Sequence, residues 1–105
     1  MGENIGDLGG LNVAYDALQA ADGGSKDPMI DGLSRDQRFF LSWARVWRGN
    51  IRDKAQLVLL NTDPHAPAKF RAIAAPSNMP QFAEAFECKA GDSMVRSGDT
   101  QVKIW

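Results

Sequence analysis

The period of the apolar residues constrains this chain most. Ile5, Leu8, Leu11, Tyr15 and Leu18 recur at steps of three and four residues. That spacing lays them on one stripe of a helix and does not suit a half-buried strand. A second helix opens at Ser34-Arg35-Asp36-Gln37, where Ser34 and Gln37 can satisfy each other's orphan amides as a capping box. It runs through Phe39, Phe40, Trp43, Val46 and Trp47 and is expected to stop at Gly49. A third helix is expected over Asp53 to Leu60. A short fourth begins at Pro80, with Phe82 stacked on Phe86 one turn on. Ala21 to Gly32 reads as a loop, and Asn61 to Asn78, carrying Pro64, Pro67 and Pro76, reads as irregular. The polar tail ends in Val102, Ile104 and Trp105, which are expected to dock an apolar edge on the core. No segment sustains strand alternation, so the expected fold is mainly α.

Composition narrows the function classes. The 105 residues, 44% hydrophobic, suffice for one small unit with its own core. Twelve basic against thirteen acidic residues leave no electrostatic footprint for nucleic acid. No apolar run reaches the roughly 20 residues of a membrane span, and no targeting signal is visible at the N-terminus. Cytoplasmic and extracytoplasmic settings both stay open. The single cysteine, Cys88, excludes an internal disulfide and a cysteine zinc cage. Phe39, Phe40, Trp43 and Trp47 are expected in the core. Arg35, Arg38, Arg45, Arg48 and Arg52 are expected on a solvated or interdomain face.

The first helix carries two local liabilities. Glu3 and Asp7 stand one turn apart on the face beside the apolar stripe, and like charges at that spacing weaken a helix. Gly6, Gly9 and Gly10 each cost about 0.8–1 kcal/mol against alanine in a helix interior. Two physical readings remain. The carboxylates complement the positive end of the helix dipole, or they face a cation, a metal or an imidazole.

Several segments together resemble the neprilysin family of zinc metallopeptidases. Gly2-Glu3-Asn4-Ile5-Gly6-Asp7-Leu8-Gly9-Gly10 is similar to that family's G-E-N-I-A-D-x-G-G segment. Phe39-Phe40-Leu41 with Trp43-Ala44-Arg45-Val46-Trp47 resembles F-F-L-x-x-A-Q-V-W. Asp63-Pro64-His65-Ala66-Pro67-Ala68-Lys69-Phe70-Arg71 resembles D-x-H-S-P-G-x-F-R, and Asn78 to Phe86 resembles N-x-x-x-F-x-x-A-F. Their order and approximate spacing agree across nearly the whole length, and the chain ends in Trp105 as family members do.

The resemblance implies a role for each matching residue. Glu3 matches the third zinc ligand, which joins two histidines of an H-E-x-x-H helix. Asp7 matches the aspartate that orients a zinc-bound imidazole, as such ligands need an acceptor for their other ring nitrogen. Beyond what the resemblance itself implies, glycines 9 and 10, with no side chains, would let the H-E-x-x-H helix pack closely. His65 matches the histidine that donates to the oxyanion, a contribution of ~3–4 kcal/mol in other hydrolases. Arg71 matches the arginine that grips the substrate backbone with its rigid fork. Without the resemblance, His65 reads as an ordinary loop histidine and Arg71 as a solvated charge. Ala66, Ala68 and Gly6 depart from the family pattern and remove none of these groups. Val102 stands where animal members carry a C-terminal cysteine, so a disulfide-free bacterial type is the better match.

One histidine cannot supply H-E-x-x-H. The expectation is therefore a single C-terminal fragment, residues 1–105, of a thermolysin-like zinc peptidase catalytic domain. The parent would use zinc-activated water on oligopeptides. The chain alone would be inactive, would not bind Zn2+ tightly, and would need the missing N-terminal part of the domain. The rival expectation is a non-catalytic helical interaction module, or a relic of such a peptidase, that self-associates through an exposed apolar face.

Overall fold

The computed structural model describes residues 2–21 and 28–104. Among these residues five helices run in order: α1 (Gly2–Ala21), α2 (Arg35–Val46), α3 (Asp53–Thr62), α4 (Ala68–Ser77) and α5 (Pro80–Ala85). A single 3-10 turn follows at Gly98–Thr100. Among the described residues the only β-type pairing is one isolated bridge, Ile30 with Leu33. It closes a tight turn in which Asp31 and Gly32 both take positive φ, 53° and 74°. Such a turn favours glycine at its second central position. The fold is mainly α.

The core forms where the stripe of α1 meets α2, α4 and α5. Leu8, Leu11, Tyr15, Phe40, Ala75 and Met79 are buried, with Phe39, Trp43, Phe82, Ala85, Phe86 and Ile104 packed against them. Tyr15 lies 5.4 Å from Phe39 and 5.7 Å from Phe40, ring to ring, and Phe40 meets Phe82 edge-on at 5.3 Å. Ile5, at the outer end of the stripe, stays 41% exposed. The capping box of α2 is present in both directions: Gln37 N donates to Ser34 Oγ at 3.1 Å, and Ser34 N to Gln37 Oε1 at 3.0 Å. α2 stops at Val46 with Trp47 as its cap, short of Gly49. α5 starts at Pro80 as expected, and Phe82 and Phe86 lie 4.9 Å apart.

Two expectations need correction. Residues 68–77, read from their prolines as irregular, form α4. Pro67 sits at the N-cap, where its missing N–H costs nothing, and Pro76 falls in the last turn. Packing supplies the rest, since Ala75, Pro76 and Ser77 are buried. Ser77 Oγ and Asn78 Nδ2 both donate to the Ala74 carbonyl there, at 3.0 and 2.8 Å. The arginine row also divides. Arg35 turns inward, donating to Gln19 Oε1, and Arg38 donates to the Leu33 carbonyl at 2.7 Å. Arg45, Arg48 and Arg52 are exposed.

The C-terminal segment is tied to the end of α4. Val102 N donates to Asn78 Oδ1 at 2.7 Å, Gln101 Nε2 to the Asn78 carbonyl at 3.1 Å, and Ile104 packs on the core. Trp105 and residues 22–27 of the loop expected at 21–32 lie outside the described residues. A Cβ at Gly6 or Gly10 would meet nothing within 4 Å, so no neighbour among the described residues demands glycine at either.

Candidate active site

The four residues singled out in the sequence converge where α1 crosses α4. Glu3 and Asp7 project from the first two turns of α1, Arg71 from the first turn of α4, and His65 from the loop between α3 and α4. Arg71 binds Asp7 as a fork: Nε donates to Oδ2 and Nη2 to Oδ1, each at 2.7 Å. Both side chains are largely withdrawn from water, 13% and 11% exposed. Arg71 Nη2 also reaches Glu3 Oε2 at 3.5 Å. The ion pair holds the Arg71 guanidinium above its ordinary pKa, through the Asp7 hydrogen bonds first and the surrounding carboxylates second. The like-charge liability of α1 is thus offset by a cation from α4. Arg71, read by itself as a solvated charge, is a half-buried ion-pair partner.

His65 is fixed from behind. Asp63 Oδ1 accepts from the His65 backbone N at 2.9 Å and also contacts the ring Nδ1. These hydrogen bonds hold the Asp63 carboxyl below its usual range, the backbone bond contributing most. The other ring nitrogen, Nε2, faces Glu3 Oε1 at 3.8 Å. Asp63 was not singled out as a functional candidate in the sequence, although an aspartate two residues before a backbone amide is the ordinary signature of a side-chain turn.

Trp47 is the second residue whose position the sequence does not disclose. It stacks edge-on with Trp43 at 5.6 Å, as expected for core, but its ring face lies under Arg71, with Cζ 4.1 Å from the centroid. A cleft of about 360 Å³ opens beside these groups, lined among others by Trp47, Leu59, Leu60, His65 and Arg71. Among the described residues no group of three or more His, Cys, Asp or Glu side chains gathers to hold a metal ion. Glu3, the expected ligand, is 57% exposed and makes no hydrogen bond shorter than 3.5 Å among the described residues. A carboxylate so placed suits one position of a zinc site, with the other ligands coming from outside this chain.

A helical unit with an acidic face locked by an arginine, beside a histidine held by an aspartate, belongs to a definable class. The chain matches the model of Peptidase family M13 over residues 1–102. Neprilysin-3 of Drosophila melanogaster is 42% identical over 101 residues, which cover 90% of this chain and 12% of that protein. Neutral endopeptidase of Lactococcus lactis subsp. lactis is 39% identical over 103 residues, 98% of this chain and 15% of that one. The crystal structure of Mycobacterium tuberculosis zinc metalloprotease Zmp1 in complex with inhibitor superposes with a TM-score of 0.92 at 40% identity. That match covers 99% of this chain and 16% of Zmp1. The chain belongs to Peptidase family M13, and its helices correspond to one part of a zinc metalloprotease. It spans less than a fifth of the length of these relatives.

Proposed function

We propose that this chain is the C-terminal part of the catalytic domain of a zinc endopeptidase that cleaves oligopeptides. The observation that carries the reading is the meeting of Glu3, Asp7, His65 and Arg71 at one helix crossing, from segments up to 68 residues apart. Glu3 holds the metal in this reading, because its carboxylate is accessible and has no tight partner among the described residues. Zinc, when bound, supplies Lewis acidity toward water and the peptide carbonyl. Asp7 orients a ligating imidazole while bound to Arg71, since each carboxylate oxygen keeps a second lone pair for a further donor.

His65 supplies the donor for the developing oxyanion. With Nδ1 directed at Asp63, donation from Nε2 needs both ring nitrogens protonated, so the ring then carries a positive charge beside the new negative one. Arg71 binds a substrate carbonyl through Nη1, the nitrogen that makes no hydrogen bond among the described residues. The isolated chain, with its single histidine, is inactive and holds no zinc tightly. In the longer peptidase, His65→Phe should lower kcat/KM by about 100- to 1,000-fold, mostly in kcat. Full activity in that variant would remove His65 from the reaction.

The exposed apolar side of α3 favours a second reading for the isolated chain. Leu57, Val58 and Leu60 are 63%, 60% and 58% exposed, a surface that drives association in water. Sedimentation analysis should show dimers or larger species, and a monomer at high micromolar concentration would contradict this.

A further inference from the structure

Arg71 can serve a substrate only if its guanidinium is held in one plane, and Asp7 alone does not fix that plane. The fork on Asp7 sets the direction of Nε and Nη2, but a guanidinium can still rock about the line through its two hydrogen bonds. The Trp47 ring supplies the missing constraint. Its centroid lies 4.1 Å from Arg71 Cζ, within the range of a cation–π contact. Trp47 is in turn braced by Trp43 one helical turn earlier. It is also the cap residue of α2, where the backbone leaves the helix with φ −89° and ψ 0°.

We propose that Trp47 is a positioning residue for Arg71, fixing the tilt of the guanidinium so that Nη1 is presented to substrate in the cleft. The inference rests on the proposed function for the identity of the ligand, a peptide carbonyl, but the positioning itself stands on the geometry of Trp47, Arg71 and Asp7. Three properties follow from it. The ring face matters more than the ring's bulk, so phenylalanine replaces tryptophan better than leucine does. The loss falls on substrate affinity, because a misaligned Nη1 weakens binding in ground and transition states alike. Without the guanidinium, Trp47 has nothing to position.

The test is a double-mutant cycle on the peptidase polypeptide that carries this chain, assayed with an oligopeptide substrate. Trp47→Leu should raise KM about 5- to 30-fold with kcat changed less than about twofold, the range of a partly desolvated cation–π contact. Trp47→Phe should recover most of that loss. In an Arg71→Ala background, Trp47→Leu should change KM less than about twofold further. An equal loss in both backgrounds would overturn the proposal and make Trp47 a wall of the cleft or a packing residue. A protein in which Arg71→Ala leaves KM unchanged would refute the substrate role of Arg71 instead. The positioning is then read from hydrogen exchange at Arg71 Nε by NMR. Exchange about tenfold faster in Trp47→Leu, and near wild type in Trp47→Phe, supports it; an unchanged rate in Trp47→Leu overturns it.

Discussion

Helices α3 and α4 are neighbours in sequence and equal in length, ten residues each, yet they are held by different forces. α3 is rich in good helix formers, Ala55, Gln56, Leu57, Leu59 and Leu60, with Asp53 at the positive end of its dipole. Asn61 and Thr62 back-bond to the carbonyls of Leu57 and Val58 at 2.7 and 2.9 Å. None of its residues is buried. α4 begins after one proline and carries another in its last turn, and it owes its place to contact. Ala75 and Ser77 are buried, and Arg71 is clamped between Asp7 and Trp47. Local propensity makes one helix, and tertiary structure makes the other. The site's cation rides on the helix that tertiary structure fixes, so the α1–α4 crossing is organised within these residues while the apolar side of α3 is left uncovered.

The largest expected effect is an apolar truncation in the core against which α4 packs. Phe40→Ala, at a side chain 2% exposed, should cost about 3–5 kcal/mol in urea unfolding. Removing one member of the crossing should cost nearly as much. Arg71→Ala strands Asp7 at 11% exposure, and a loss of about 2–4 kcal/mol is expected. Replacing the pair together with well-packed apolar residues should recover much of it. A smaller, pH-dependent effect belongs to Tyr15. Burial first, and its hydrogen bond to Asp36 at 3.0 Å second, together push its pKa up to about 12. The folded state therefore holds the phenolic proton more tightly than the unfolded chain. That contribution is complete below pH ~10 and is lost as pH rises through 12, a total of about 3 kcal/mol. Tyr15→Phe should flatten this alkaline decline in a stability-versus-pH series. The smallest effect is in α3: Leu60→Ser, at a side chain 58% exposed, should shift stability by no more than about 0.5 kcal/mol while reducing self-association. A large loss of stability in Leu60→Ser would break the contrast between the helices.

The same contrast explains what the sequence could disclose. Helices α1, α2 and α5 were legible because period, capping box and N-terminal proline are local signals, and all three agree with packing. α4 was not, since its prolines argue locally for a loop and burial overrides them. Glu3 and Asp7 stood out as an unbalanced pair, but spacing alone did not say which cation answers them, 64 residues further on. Resemblance, and not periodicity, picked out Arg71 and His65. Asp63 carried a readable cue in its spacing to His65. Trp47 carried none, because an aromatic at helical spacing reads as core until its partner is known.

The most direct measurement is the zinc content of the proposed longer peptidase with Glu3→Ala, compared with the unaltered protein after identical dialysis against chelator. The account predicts one retained zinc per unaltered molecule and loss of tight binding in the variant, with the fold kept as judged by the aromatic circular dichroism of the Tyr15–Phe39–Phe40 cluster. Full zinc retention in Glu3→Ala would show that the acidic face of α1 serves only to hold Arg71, and the proposed metal role of this chain would be lost.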